Sequence, residues 1–317
     1  DHLYDETIDL LKRLISIQSF SREEDGTASA IEDFFQKHTI SSFRSGNNVW
    51  ARSARFDGNK PTLLLNSHHD TVRPNSDWTR NPFTPVIENG ILYGLGSNDA
   101  GGALCSLIAA FTALYDEDLP YNLVIAATAE EEIAGRNGIE ALLPKLGTID
   151  AALVGEPTGM QMAVAEKGLL VLDCTSLGKS GHAARTTGVN AISAAMRDIE
   201  WFHTFHFPVE SSLLGPVKMT VTQIQAGTQH NVIPDRCAFV VDVRVTDAYT
   251  HEEVLETIRQ HTESEVTARS MRLRPSRIAD DHPLVTSAQE IDIPTFGSPT
   301  MSDQALLSMP SVKMGPI

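Results

Sequence analysis

From Thr62 to Asp70 the chain reads Thr-Leu-Leu-Leu-Asn-Ser-His-His-Asp. Three consecutive leucines just after Pro61 describe a strand buried on both faces, and such strands belong to parallel sheets covered by helices. The apolar run stops abruptly at two imidazoles and a carboxylate. In open α/β sheets the ligand crevice lies beyond the carboxyl ends of the strands, so His68, His69 and Asp70 stand where such folds place their chemistry. If the backbone stays extended, His68 and Asp70 point to one side and His69 to the other. An imidazole that holds a metal commonly donates its second N–H to a carboxylate, which fixes its tautomer. His68 and Asp70 fit a ligand and its orienter, although a polar loop after a core strand would explain the same residues.

The design recurs along the chain. Asn122-Leu-Val-Ile-Ala-Ala-Thr runs into Ala129-Glu130-Glu131-Glu132, and Ala151-Ala-Leu-Val-Gly runs into Glu156, held by Gly155 and Pro157. A run of acids usually marks a solvated face. Flanked by Ala-Ala-Thr-Ala and Ile-Ala-Gly, this one is expected near the core, where unpaired carboxylates are costly and a cation relieves the cost. Between these strands, Tyr93-Gly-Leu-Gly-Ser-Asn-Asp precedes Leu104, Leu107, Ile108, Phe111 and Leu114 at helical spacing, so Asp99 falls at or just before a helix start. It reads equally as a helix cap or as a metal ligand. A phosphate-binding loop fits poorly: the spacing is not Gly-x-Gly-x-x-Gly, no Gly-Lys-Ser/Thr follows, and a carboxylate sits where the anion would need room. Four strand-end segments therefore offer His68 with Asp70, Asp99, Glu132 or a neighbour, and Glu156. Oxygen and imidazole donors without thiolates are the set of a zinc-type hydrolytic site.

Charge and composition remove other classes. A formal net charge of −16 repels phosphate backbones, which argues against a nucleic-acid partner. No apolar run approaches the roughly 18 residues needed to cross a bilayer, and no signal-peptide pattern opens the sequence, so no membrane partner is expected. Cys105, Cys174 and Cys237 are an odd count without Cys-x-x-Cys spacing. They support neither a disulfide framework nor a thiolate zinc site, and a reducing cytoplasm is expected.

The first part of the chain predicts amphipathic helices over 5–17 and 27–37, a strand at Asn48-Val-Trp-Ala-Arg-Ser, and an irregular, Pro-rich loop from Thr71 to Gly90. After Glu166-Lys-Gly the pattern changes. Strands over 169–176, 217–225, 237–245 and 266–273 and helices over 190–205 and 252–261 spell β-α-β-β-α-β, the split arrangement of a small ferredoxin-like domain. The expected architecture is α/β, a mostly parallel sheet flanked by helices. Residues 1–168 and 279–317 form a discontinuous catalytic domain, with an inserted lid at 169–278.

Six segments together resemble the co-catalytic zinc exopeptidases and N-acyl amino acid deacylases. They are Ser67-His-His-Asp-Thr-Val, Gly94-Leu-Gly-Ser-Asn-Asp-Ala-Gly-Gly, Thr128-Ala-Glu-Glu-Glu, Gly155-Glu-Pro-Thr, Gly178-Lys-Ser-Gly-His-Ala-Ala and Asn231-Val-Ile-Pro-Asp. That family includes acetylornithine deacetylase, succinyl-diaminopimelate desuccinylase, aminoacylase and glutamate carboxypeptidase. The resemblance implies two divalent ions, zinc with cobalt or manganese as alternatives. It makes His68, Asp99 and Glu156 ligands of one ion and lets Asp99 bridge to the second, with a cis peptide after Asp99. Aligning Thr128 with the family's Thr-x-Asp-Glu-Glu assigns Glu131 as general base and Glu132 as ligand; a one-residue slip would assign Glu130 and Glu131.

The resemblance further implies that His182 stabilises charge on the acyl oxygen, in dimeric relatives at the partner subunit's site; an exposed loop histidine is the plainer reading. It implies that Asn231, Arg244, Ser298 and Thr300 read a substrate carboxylate. Arg244, within Val-Asp-Val-Arg-Val, reads equally as an ion-paired strand residue. A further metal-ligating histidine of the family lies near its C-terminus and is expected beyond Ile317. A one-metal or inactive binding relative is the rival. The implied activity is hydrolysis of an N-acyl amino acid by a cytoplasmic homodimer, with N-acetylornithine in arginine biosynthesis put first. Succinyl-diaminopimelate, acetylcitrulline, succinylornithine and dipeptides are the alternatives.

Overall fold

The structure, a computed structural model, describes residues 2–185 and 187–317. The chain forms two compact units, the first comprising residues up to Val164 with Arg277–Phe296 and Ser302–Ile317, the second Ala165–Ser276 with Gly297–Met301.

The first unit is built on a sheet in which seven strands lie in the order Ser42–Ser45, Asn48–Arg52, Asn122–Thr128, Thr62–His68, Ala151–Val154, Ser311–Lys313 and Met162–Glu166, the last also pairing with the short strands Ser276–Arg277 and Thr295–Ser298. The pairs from Asn122–Thr128 through Ser311–Lys313 are parallel, and those toward both edges are antiparallel. As the leucine run predicts, Thr62–His68 is covered on both faces. Leu65 packs in one cluster with Leu11 of the helix His2–Ser16, Ile31 and Phe35 of the helix Asp25–Lys37, and Leu104, Ile108 and Phe111 of the helix Ala103–Leu114. Leu64, pointing the other way, packs with Ile139, Leu142 and Leu146 of the helix Ile139–Leu146. Burial of each leucine contributes roughly 1.5–3 kcal/mol.

Parallel register is what gathers the site. His68 pairs with Thr128, and Asn66 pairs with Val154, so the strands carrying His68, the acidic run and Glu156 all end at one edge of the sheet. The segment predicted as loop from Thr71 to Gly90 instead contains one arm of a hairpin, Val86–Glu88 with Ile91–Tyr93. Its tip, Asn89-Gly90, has positive φ at both residues (53° and 79°), the conformation a two-residue hairpin turn requires. The helix Ile139–Leu146 was not expected from the sequence, although Ile139, Leu142 and Leu146 have helical spacing.

The second unit holds an antiparallel sheet in the order Lys218–Ala226, Arg236–Val245, Gly168–Leu177, Glu265–Ala268, with helices Ala191–Thr204 and His251–His261. The spatial order 2-3-1-4 is the split βαβ arrangement that the sequence predicts. Alternating Leu170, Leu172 and Cys174 face Phe239, Val241 and Val243 in its core. The last strand is shorter than expected, stopping at Ala268. All three cysteines are buried and free. Among the described residues no helix is long and apolar enough to cross a membrane.

Candidate metal centre

His68 ends the central strand and is almost completely buried. Its Nε2 lies 3.1 Å from Asp99 Oδ1, 3.8 Å from Glu131 Oε2 and 4.0 Å from Glu156 Oε1. Its Nδ1 lies 3.0 Å from the backbone carbonyl oxygen of Asp70 and 3.3 Å from that residue's Oδ1. An Nδ1–H donated to Asp70 turns Nε2 toward the carboxylates, where it carries a proton for Asp99 without a cation and would offer its lone pair once a cation displaced that proton. The carbonyl, rather than the carboxylate expected from the sequence, is the nearer orienter. The Asp70 carboxylate has another task as well: Oδ1 accepts the Glu131 amide at 3.1 Å, and Oδ2 accepts the Glu132 amide at 3.2 Å and the Ser21 hydroxyl at 2.7 Å.

Asp99 lies in a wide turn, Ser97–Gly102, that leads into the apolar helix Ala103–Leu114, and the Asp99–Ala100 peptide bond is cis, as the resemblance implied. Glu131 and Glu132 leave a tight turn directly after the buried strand Asn122–Thr128. Glu156 follows Gly155, whose amide donates to the Asn66 carbonyl at 2.6 Å and whose carbonyl accepts the Ser67 hydroxyl at 2.8 Å. Two triplets of potential ligand atoms result, His68 with Glu131 and Glu156, and His68 with Asp99 and Glu132.

So many acids around one imidazole compete for positive charge. Burial alone would keep His68 neutral, yet Asp70, Asp99, Glu131 and Glu156 outweigh it and hold the ring protonated well above the usual imidazole range. Burial first, then the charges of Glu156, Asp303 and Asp70, raises Glu131 well above the ordinary carboxylate range against the pull of His68. Glu156 is pushed up to about 7, chiefly by burial, and Glu132 is raised for the same reason. Buried carboxylates that take up protons in the absence of a cation, together with an oxygen and imidazole donor set without thiolate, fit divalent ions of the zinc or manganese type.

His69 points the other way, as the strand geometry predicts. Its Nε2 faces the Asn47 carbonyl at 3.0 Å and its Nδ1 the Thr27 hydroxyl at 2.8 Å, and burial lowers its pKa to about 4. It is a neutral core residue. Three groups near the centre were given no place in it by the sequence, although Asp303 closes the loop from Ser298 that the resemblance sets against the substrate carboxylate. Asp303, buried, accepts from Asn66 Nδ2 at 2.8 Å and Thr128 Oγ1 at 2.9 Å. The buried Lys313 places positive charge toward Glu156 and Asp99. Glu24, also buried, accepts the Glu130 amide at 3.1 Å. A cavity of about 1230 Å³ lies beside Asp99 and Glu132, with Val72, Trp78 and Tyr93 in its walls.

The remaining candidates lie in the second unit. His182 is exposed, pairs with Val232 in the short ladder Gly181–His182 with Val232–Ile233, and accepts the Ala184 amide at Nδ1. Asn231, also exposed, is brought beside it, its carbonyl accepting the Ala183 amide at 2.9 Å. Arg244 forms a two-pronged pair with Asp242 at 2.8 and 3.0 Å, the ion-paired alternative. Ser298 Oγ lies 3.1 Å from Thr300 Oγ1.

Fold and centre define a metal-dependent hydrolase of linear amides. Residues 64–307 match the Peptidase family M20/M25/M40, and the chain belongs to that family. It is similar to succinyl-diaminopimelate desuccinylase 2 of Ruegeria sp. (strain TM1040), 26% identical over 80% of this chain and 69% of the relative. It is also similar to the succinyl-diaminopimelate desuccinylase of Cereibacter sphaeroides, 31% identical over 70% of this chain and 61% of the relative. Across six such desuccinylases the match spans 59 to 74% of their length. In fold it resembles aminopeptidase PepT of Bacillus cereus, with a TM-score of 0.80 and 19% identity over 98% of this chain and 90% of that one. It also resembles the Bacillus subtilis YXEP protein, described as a dinuclear metal binding peptidase from the M20 family, with a TM-score of 0.74 and 19% identity over 99% and 89%.

Proposed function

We propose that the chain hydrolyses the amide bond of an N-acyl amino acid bearing a free carboxylate, with succinyl-diaminopimelate ahead of N-acetylornithine as substrate. The observation that carries the amide-hydrolase reading is the gathering of Asp99, Glu131, Glu132 and Glu156 around His68, in two triplets that share it, beyond the carboxyl ends of the strands. The order of substrates follows the desuccinylase relatives and reverses the order that the motifs alone suggested.

In this reading, which follows the resemblance, His68, Asp99 and Glu156 would hold one ion and Asp99 with Glu132 the other; by distance alone the groups are His68 with Glu131 and Glu156, and His68 with Asp99 and Glu132. When bound, the ions supply Lewis acidity that polarises the acyl carbonyl and acidifies water toward a pKa of roughly 7. Glu131 is the base. Its carboxylate, 3.8 Å from His68 Nε2, stands where it can take a proton from the attacking water and return it to the departing amine, which leaves poorly as an anion. Asp70 keeps the Glu131 and Glu132 backbone in place, and burial of the centre strengthens each of these interactions.

The second unit acts as a lid and dimerisation element, with His182 stabilising the developing oxyanion and Asn231, Arg244, Ser298 and Thr300 reading the substrate carboxylate. These roles, the homodimer and the cytoplasmic location rest on the resemblance and, for the last, on the free cysteines. Initial rates with N-succinyl-diaminopimelate, N-acetylornithine, N-acetylcitrulline, N-succinylornithine and di- and tripeptides test the proposal. Turnover of peptides alone would overturn the substrate class, and no turnover of any zinc-loaded sample would favour a binding relative.

A further inference from the structure

Glu24 directly precedes the helix Asp25–Lys37 and is fully buried. At a position where a side chain ordinarily caps a helix, its carboxylate makes no capping bond. Instead Oε1 accepts the amides of Arg22 at 2.7 Å and Glu130 at 3.1 Å, and Oε2 accepts Asn47 Nδ2 at 2.8 Å. The contact with Glu130 spans 106 residues of sequence. A buried carboxylate held by amides is costly to keep, and nothing in the hydrolytic scheme above uses it.

What it holds is the root of the acidic turn. Glu130 has φ 57°, a left-handed conformation that side-chain-bearing residues rarely adopt. Four successive peptide N–H groups there end on side chains from distant elements. Ala129 donates to Asn48 Oδ1 at 3.0 Å and Glu130 to Glu24; Glu131 and Glu132 donate to the two oxygens of Asp70. With its amides tied, the turn's backbone is held where a carboxylate oxygen of Glu131 and one of Glu132 each come within 4.8 Å of a His68 ring nitrogen.

We propose that Glu24 is a positioning residue for Glu131 and Glu132, fixing the acidic turn before any ion arrives. The proposal rests on the functional reading in taking those two as base and ligand. Glu24→Met removes the acceptors at similar size; Glu24→Gln keeps a carbonyl for the Glu130 amide, and the Asn47 side-chain amide turns round at the expense of the bond its Oδ1 accepts from Arg44 at 3.2 Å. In the zinc-loaded enzyme, Glu24→Met is expected to lower kcat about tenfold to a hundredfold with KM within about threefold, and zinc affinity by calorimetry should weaken by a similar factor. Glu24→Gln should restore both to within about threefold. A Glu24→Met protein that is less stable but has wild-type kcat and zinc affinity would overturn the proposal.

Hydrogen exchange of the unmodified, metal-free protein decides the matter even if Glu24→Met does not fold. The amides of Glu130, Glu131 and Glu132 are expected to be protected before zinc is added; since Asp70 holds the last two, free exchange at Glu130 that slows only on zinc addition would overturn it. Neither calorimetry nor exchange needs turnover. A protein inactive on every amide yet protected at these positions would refute the hydrolase and support the positioning role.

Discussion

Replacing Asp70 by asparagine separates holding the acidic turn from binding the metal. The carboxylate is fully enclosed and meets only donors: the Ser21 hydroxyl and the Glu132 amide at Oδ2, the Glu131 amide at Oδ1, and His68 Nδ1 at 3.3 Å. An asparagine NH2 placed at the Oδ2 position can keep Ser21 by turning its hydroxyl into an acceptor, but it leaves the Glu132 N–H without a partner. An unpaired buried donor costs about 1–3 kcal/mol, and each remaining bond to a neutral rather than charged acceptor weakens by roughly 1 kcal/mol. The sum, about 3–5 kcal/mol, fits within an ordinary domain stability of roughly 5–15 kcal/mol, so the variant should fold. Urea unfolding of the metal-free variant should show that loss. Zinc calorimetry should show affinity about tenfold to a hundredfold weaker, and kcat should fall in step because the turn carrying Glu131 loosens. Since the Asp70 carbonyl still orients His68, the His68 tautomer should survive. An Asp70→Asn enzyme with wild-type zinc affinity and kcat, whatever its stability, would refute this account of the turn.

Glu131→Ala should lower turnover about 10²- to 10⁴-fold while zinc content, measured by atomic absorption, stays near wild type. Zinc binding must displace the protons held by His68 and Glu156, the latter titrating at about 7, so affinity should fall as pH drops from 8 to 6. Calorimetry in buffers of different ionisation enthalpy should show the released protons. The pKa of His69 is lowered from 6.5 to about 4 in the folded state, so the unfolded chain binds more protons between these values. Its contribution of about 3 kcal/mol is therefore complete above pH 6.5 and lost as pH falls toward 4. In urea unfolding, His69→Gln should flatten that part of the pH dependence. A Cβ at Gly135 would collide with the Glu130 side chain, so Gly135→Ala should cost about 1–3 kcal/mol by thermal unfolding.

The chemistry of this protein was legible in sequence to the extent that it follows periodicity. The leucine run at 63–65, the buried strand at 122–128 and the abrupt polar residues at their ends announce a parallel sheet with acids and an imidazole at its carboxyl edge. The alternation after Gly168 announces the split βαβ unit. Two local signals were equally present and overlooked: the Asn89-Gly90 turn, obscured by the prolines around it, and the helical spacing of Ile139, Leu142 and Leu146, interrupted by Pro144.

What sequence alone determined is which residues end the buried strands at 62–68, 122–128 and 151–154, because apolar runs and the polar residues that stop them are local properties of the chain. Strand order and register were decided only by tertiary structure, since many pairings bury the same leucines and one of them brings His68 level with Thr128. The partners that hold the centre belong to the same category. Glu24 reaches Glu130 across 106 residues and Asn66 reaches Asp303 across 237. A hydrogen bond between distant segments leaves no periodic trace in either one. It exists because a buried polar group must find a partner wherever folding happens to put one.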